Sequence, residues 1–368
     1  MAHVHITLVG GQPEPIYYGI QYANPDKILF VHSSDEKSKE YTERLSKMFP
    51  SIDNEKQKFD PVNIQDIMSK VNHYAEVYKN DEVTINISGG TKPWAYYFST
   101  IFGPTPNCKI FYVDQKNKVW NLTDGTTDVV AYDMDIAIGL YGNSIAHKTN
   151  YNNINKSDLA SIETIETIRS KNKNMFYALI SSAKNNTNST KWFCGKSSLM
   201  WDTKDKSFTF SVMTSKGLYT QNVKSTHIRH LLFHAKWFEY EIASYLSRWQ
   251  NAVDIYNGCE FKFANKTAKN EIDIIVNIGN RLIFIECKTQ IEQYTDIDKF
   301  RSAMRNYSGT STIGLFVTRE EMDDRAKEKC KDNGIMTFSV AECEAANKNV
   351  AKTLMNLLDE KINKINAR

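Results

Sequence analysis

No stretch of the 368 residues approaches the ~18 consecutive apolar residues that a membrane helix requires, which excludes a helical membrane protein. Met1 to Val9 has neither a basic n-region nor a small-residue cleavage site, so no secretory signal is expected. The six cysteines (Cys108, Cys194, Cys259, Cys287, Cys330 and Cys343) are neither paired nor closely spaced. In a chain of this length they read as reduced, buried thiols of a cytoplasmic protein rather than as a disulfide framework. No repeat of 20–50 residues is present, which excludes a solenoid or propeller. Gly10-Gly11-Gln12 does not complete a dinucleotide fingerprint, and Ser88-Gly89-Gly90-Thr91-Lys92 lacks the first glycine and the spacing of a Walker A loop.

What is present is an ordinary folded composition, 41% hydrophobic and 24% charged, with a high aromatic share of 12%. The length predicts two domains and a small remainder. The formal charge of +3 conceals an asymmetry: residues 1–150 carry a net −4 and residues 151–368 a net +7. A basic second half is compatible with a polyanionic partner.

The first 115 residues alternate between strand and helix patterns. Val4–Val9, Lys27–His32, Val83–Ile87 and Lys109–Val113 are short apolar runs. Between them, Tyr41, Leu45 and Met48 mark a helix over 36–49, and Ile64, Ile67, Met68 and Val71 mark another that Pro61 opens. A helix over 93–102 follows the third run. The spacing predicts a Rossmann-like parallel sheet with helices on both faces. The runs end in small or polar residues, Gly10-Gly11-Gln12, Ser33-Ser34, Ser88 to Thr91 and Asp114. In such a sheet, strand carboxyl ends line the ligand crevice, which predicts a site for a polar ligand.

Residues 151–225 read as a connector, with helices at 157–169 and 174–184 and a β-hairpin over 206–223. Asparagine is frequent there, while glycine and proline are too few for a flexible tether. From His227 the pattern becomes a helix over 227–248, weak strands at 252–256 and 260–263, and strong strands at Glu271–Ile278 and Arg281–Cys287. A helix over 296–306, a strand over 312–318 and a helix over 319–331 follow. The expected domains are therefore 1–150, 151–225 and 226–368.

The chemistry concentrates on the strong hairpin. Glu286 and Lys288 share one face of their strand while Cys287 faces away, and pairing across Gly279-Asn280 brings Asp273 near Glu286. Converging carboxylates repel unless a divalent cation lies between them, and oxygen donors suit Mg²⁺ or Mn²⁺. Lys288 beside them fits activation of water or stabilisation of charge on a phosphate. Glu271 lies on the face of Asp273, either assisting or at the rim. His227, His230 and His234 lie along one helix face as zinc ligands could. With no cysteine or HExxH partner near, they read instead as packed or rim residues. Lys299, Arg301 and Arg305 read either as a solvated face or as contacts to a nucleic-acid backbone.

Asp273…Glu286-Cys287-Lys288 in a strand–turn–strand context, followed by helix and strand, resembles the PD-(D/E)XK, or restriction-endonuclease-like, superfamily. The resemblance implies a C-terminal αβββαβ domain with Asp273, Glu286 and Lys288 catalytic. It also implies a further acid from the preceding helix, where Trp237-Phe238-Glu239 fits better than Glu241. Asp273, Glu286 and Glu239 would hold Mn²⁺ or Mg²⁺, and Gln290 could touch substrate. The N-terminal half resembles the CARF (CRISPR-associated Rossmann fold) sensor domain. Together they resemble the ancillary nucleases of type III CRISPR systems. This implies a cytoplasmic homodimer that binds a cyclic oligoadenylate, cyclic tetra-adenylate first, through Gly10, Gly11, Gln12, Ser33, Gly89, Gly90, Thr91, Lys92 and Asp114. Ring binding would then switch on cleavage of single-stranded RNA and/or DNA. Two rivals are a ring-binding transcriptional regulator with a non-catalytic C-terminal domain, disfavoured by the absence of a helix-turn-helix pattern, and a constitutive DNA nuclease.

Overall fold

A computed structural model describes residues 1–262, 271–291, 293–308 and 312–367. The chain forms two compact units, the first built on Met1–Ser144 and the second on Ile145–Ile278, Leu282–Arg305 and the stretch from Thr312 onward. The fold class expected from the sequence, mixed α/β with a parallel sheet in the first half, is the one observed.

The first unit runs β1 (His3–Leu8), α1 (Glu14–Ala23), β2 (Lys27–His32), α2 (Glu36–Met48), β3 (Asp53–Lys58), α3 (Ile64–Val77), β4 (Glu82–Asn86), α4 (Lys92–Phe102), β5 (Cys108–Val113), β6 (Lys118–Asn121), β7 (Thr127–Val129) and α5 (Met134–Gly139). Its sheet has the order β3-β2-β1-β4-β5-β6-β7. The first five strands are parallel, and β6 and β7 add an antiparallel extension that the sequence reading did not include. The order reverses between β1 and β4, so the ends of those two strands flank the switch point where α/β sheets bind ligands. Val4, Ile6 and Leu8 of β1 and Leu29 and Val31 of β2 pack with Ile67, Val71, Trp94 and Phe98 on one face. Ile28, Phe30, Tyr17, Tyr18 and Phe111 form the core on the other.

Two boundaries differ from the sequence reading. Pro61 does not open a helix: α3 starts three residues later, where the Asn63 side chain accepts the Asp66 N–H at 3.2 Å and makes the stronger cap. β3, Asp-Asn-Glu-Lys-Gln-Lys, has no apolar alternation because it is a charged edge strand.

The second unit comprises β8 (Ile145–Asn150), α6 (Lys156–Lys171), α7 (Lys173–Asn185), β9 (Lys191–Cys194), β10 (Ser197–Asp202), β11 (Ser207–Thr214), β12 (Gly217–Lys224), α8 (Ile228–Phe233), α9 (Lys236–Leu246), β13 (Asp254–Phe261), β14 (Glu271–Asn277), β15 (Leu282–Lys288), α10 (Thr295–Ser308), β16 (Ile313–Thr318), α11 (Asp324–Asp332), β17 (Met336–Ser339), α12 (Val340–Ala345) and α13 (Val350–Asn366). Its six-stranded sheet has the order β17-β16-β15-β14-β13-β8, and β12-β11-β10-β9 form a separate antiparallel sheet. The two weak strands are one, β13, and the residue at 263 lies outside the described residues. The hairpin over 206–223 is half of the four-stranded sheet.

Residues 151–225 share a continuous core with the rest of this unit: Ile165, Phe176 and Phe210 belong to the same cluster as Trp237, Ile285 and Leu354. A buried ionic network fastens α6 to the residue that follows β16. Arg319 donates to Glu166 (Nη2 to Oε2, 2.7 Å), and Arg169 donates to Glu320 (Nη1 to Oε1, 2.8 Å). The single helix expected over 227–248 is broken, because Ala235 adopts a left-handed conformation (φ 56°) between α8 and α9. An alanine pays roughly 1 kcal/mol or more for that geometry, so packing on either side imposes the break.

In β1, the His5 imidazole is fully buried and shares a hydrogen bond of 2.9 Å with Thr84 Oγ1. Burial, with His3 adding to the effect, pushes its pKa down to about 3. An unfolded chain takes up a proton there near pH 6.5 while the folded one does not, so stability falls as pH drops from about 6.5 toward 3. At one proton and about 1.4 kcal/mol per pH unit, the first unit should lose about 2 kcal/mol between pH 7 and 5 from this residue. Urea unfolding of wild type and His5→Gln at both pH values tests this. The variant should show the smaller loss, and equal losses would refute the assignment.

Candidate functional site

In the first unit the glycine-rich ends of β1 and β4 meet. A Cβ on Gly10 would stand 2.8 Å from the Gly90 nitrogen, and one on Gly89 would strike the Leu8 carbonyl and come within 3.0 Å of the Gly10 nitrogen. Only bare backbone fits there, and Gly90 also has φ +70°. Gly11, Gln12 and Lys92 are exposed beside this junction. Thr91 caps α4 by accepting the Trp94 N–H at 3.4 Å. Ser33 is partly occupied, since its N–H donates to Ser38 Oγ. Asp114 is spent on its own turn: it accepts from the N–H groups of Lys116 (2.7 Å) and Lys118 (3.1 Å) and from Trp120 Nε1 (3.0 Å). The sequence reading missed Asn86, whose amide donates to the Pro15 carbonyl while its oxygen accepts from Ser88. Asn86 thereby fixes the loop that carries Gly89 and Gly90.

In the second unit the β14–β15 ladder runs from Asn277↔Leu282 to Ile274↔Ile285. Asp273 and Glu286 stand directly beyond its last rung. There the Asp273 carboxylate takes over the ladder's role, with Oδ2 accepting the Cys287 N–H at 2.8 Å. Glu239 of α9, Glu271 and Asp273 each present a carboxylate oxygen within 4.8 Å of the others. Among the described residues this is the one group of three that could hold a metal ion. Glu286 is not in the trio: it forms an ion pair of 2.6 Å with Lys288. Glu241, the other helix acid, faces elsewhere and accepts the Tyr245 hydroxyl at 2.6 Å. Cys287 points into the hydrophobic core.

The electrostatics are those of an acidic site in which Glu239 and Asp273 are buried while Glu271 is exposed. Burial, aided by the Asp273 charge and opposed by Lys236, raises Glu239 well above the carboxylate range. Burial and then Asp273 push Glu286 up to about 8. Burial works against the Lys288 charge, yet Glu286 and Asp273 outweigh it and hold the ammonium above the ordinary lysine range. Lys236 is the residue that sequence reasoning missed. Its Nζ bridges Glu239 (2.9 Å) and Glu271 (2.6 Å). The only local signal is its place three residues before Glu239, where a helix brings two side chains together. His230 and His234 have ring centroids 4.6 Å apart at an interplanar angle of 30° and line the wall of the same cleft. Lys299 pairs with Asp296 at 3.3 Å.

Residues 4–141 match the family model described as the Card1 CARF domain, and residues 237–342 match one described as restriction endonuclease. The chain joins a CARF domain to a restriction-endonuclease-like domain. Solved structures of similar fold span nearly the whole chain. Can2 from Sulfobacillus thermosulfidooxidans, in complex with cyclic tetra-adenylate, is 16% identical with a TM-score of 0.70, over 97% of this chain and 98% of that one. Protein VC1899 from Vibrio cholerae is 14% identical with a TM-score of 0.70, over 96% and 97%. A type III CRISPR defence DNA nuclease activated by cyclic oligoadenylate is 14% identical with a TM-score of 0.54, over 95% of this chain and 52% of that one. No protein of curated function matches the sequence. Among the described residues, no helix is long and apolar enough to cross a membrane.

Three carboxylates at this separation, with one lysine between two of them, fit a divalent cation by donor type. Saturating Mn²⁺ at a hundred times its Kd should stabilise the nuclease domain by about 2.7 kcal/mol. Thermal unfolding with and without Mn²⁺ measures the shift, and Asp273→Asn should remove most of it. An unchanged midpoint in the wild type would count against the trio as ligands.

Proposed function

We propose that the protein is a metal-dependent endonuclease of type III CRISPR defence, switched on by cyclic tetra-adenylate and cutting single-stranded RNA and/or DNA. The observation that carries this reading is the acidic trio with Lys288 beside it, in a nuclease domain carried on the same chain as a CARF domain. The trio speaks against a non-catalytic regulator, because a domain relieved of catalysis has no use for converging carboxylates that repel one another.

In this reading Glu239, Glu271 and Asp273 hold Mn²⁺ or Mg²⁺. When bound, the cation supplies Lewis-acid polarisation of the scissile phosphate. Glu286 accepts the Lys288 ammonium and keeps it charged and oriented. Lys288 then stabilises negative charge developing on the phosphate rather than removing a proton from water. The net +7 of residues 151–368, most of it carried by residues 151–225, favours a polyanion as substrate. In the CARF domain, Gly10, Gly11, Gln12, Ser33 and Gly89 to Lys92 would receive the ring, with bare backbone at the switch point admitting phosphate and ribose and Lys92 adding charge. Asp114 would shape the pocket through its turn more than touch the ring. A homodimer suits the exposed apolar side chains Ile64 and Met68 of α3 and Tyr96 of α4, on two helices that pack against each other. Cytoplasmic residence suits six free cysteines.

The test incubates the purified protein with labelled RNA and with single-stranded and duplex DNA, with and without cyclic tetra-adenylate, in Mn²⁺, Mg²⁺ or chelator. Cleavage should require both ring and metal. Glu286→Ala should slow it by about 100-fold or more while ring binding persists. Lys92→Ala should weaken ring binding and leave Mn²⁺ binding unaltered. Cleavage without the ring would remove the switch from this reading, and no cleavage under any condition would remove the nuclease.

A further inference from the structure

The cleft that holds the acidic trio, about 560 Å³, extends well past those carboxylates. Asn257, which the proposed reaction does not use, also lines it. Asn257 is 2% exposed, and neither its Nδ2 nor its Oδ1 has a hydrogen-bond partner among the described residues. A buried amide with both polar atoms unpaired is rare and costly in a folded protein.

The backbone around it is arranged to produce this. Asn257 pairs with Thr149 of β8, but the next β8 pairing is Glu260↔His147, so β13 carries an extra residue at Gly258–Cys259. Such a bulge re-aims a neighbouring side chain and is common beside active sites. Gly258 takes φ +58°, and a Cβ there would lie 3.3 Å from Glu271 Oε1 and 3.7 Å from Lys236 Nζ. The bulge therefore lies against the carboxylate cluster. His147, His230 and His234, all exposed, line the same cleft.

The chemistry selects the ligand class. A phosphate offers acceptors alone and would leave Oδ1 unpaired. A nucleobase edge offers a donor and an acceptor side by side, which an asparagine amide matches with two bonds, the N6/N7 edge of adenine being the standard partner. Imidazole rings supply flat faces on which an unpaired base can stack. A base can reach a buried amide only when it is not paired within a duplex. Resting on the nuclease reading of the trio, we propose that Asn257, flanked by His147, His230 and His234, forms a nucleobase subsite of the cleft. It takes one unpaired base of the substrate, adenine by best match, beside the scissile phosphate.

The full-length protein, with cyclic tetra-adenylate and Mn²⁺, is given single-stranded RNA and DNA pools with a randomised central window, and the cut ends are sequenced. Wild type should enrich adenine about fivefold or more at one fixed position from the cut. The near-isosteric Asn257→Leu should cut more slowly and lose that enrichment. Its thermal midpoint should equal or exceed that of wild type, since it removes two unpaired buried polar atoms. Cutting without base bias in the wild type, bias retained in Asn257→Leu, or a lowered midpoint showing that the fold itself uses the amide would each overturn the subsite and leave the nuclease reading intact. A wild type that cuts neither pool overturns the nuclease reading and the subsite with it.

Discussion

Like-charge repulsion is the constraint around which the nuclease domain is arranged. Glu239, Glu271 and Asp273 converge within 4.8 Å, the first and last buried and Glu271 exposed, and each negative charge opposes the next. The local features answer that repulsion. Lys236 sits between two of the acids, a backbone N–H is turned onto Asp273, and the ladder between β14 and β15 stops one rung early to release it. Even the break before α9 belongs to this set, because a continuous helix through Ala235 would phase Lys236 and Glu239 differently on the sheet.

The CARF domain meets a different constraint, how to bring backbone close to backbone at the ends of two strands. Its answer is steric, not electrostatic. Gly10, Gly89 and Gly90 remove the three side chains that would otherwise hold the ends of β1 and β4 apart. In the proposed reading, this is how an acidic half of the chain would serve a phosphate-bearing ligand without a large positive field.

Much of this architecture was legible in the sequence because buried parallel strands write themselves as unbroken apolar runs. Lys27–His32 and Ile313–Thr318 are of that kind. β3 escaped notice because an edge strand needs no apolar face, and the break at Ala235 because nothing in His-Ala-Lys announces a left-handed residue. The hairpin register was readable from the turn at Gly279-Asn280, which placed Asp273 across from Glu286. Which carboxylates cluster was not readable. It depends on where α9 crosses the sheet and on a lysine that reaches from that helix to β14, and both are tertiary facts with no local period. Glu271, legible only as an assisting or rim acid, stands inside the trio, while Glu286 is held by Lys288.

The network of Arg169, Glu166, Arg319 and Glu320 bears on how the chain can be divided. Arg319 is 3% exposed and Arg169 6%, and each finds its carboxylate partners across the join between α6 and the strand end. A fragment beginning near residue 226, at the edge of the matched restriction-endonuclease sequence, would take Glu166 from Arg319, which keeps Glu344, and would leave the Glu320 carboxylate without Arg169, Lys173 and Tyr177. Orphaning one member of a buried ion pair costs about 3–5 kcal/mol, a large part of a domain's whole stability. It would also discard β8, the outer strand of the six-stranded sheet. The smallest piece able to fold as the restriction-endonuclease-like unit therefore starts near Ile145, and any transplant of that unit onto another domain has its natural seam there.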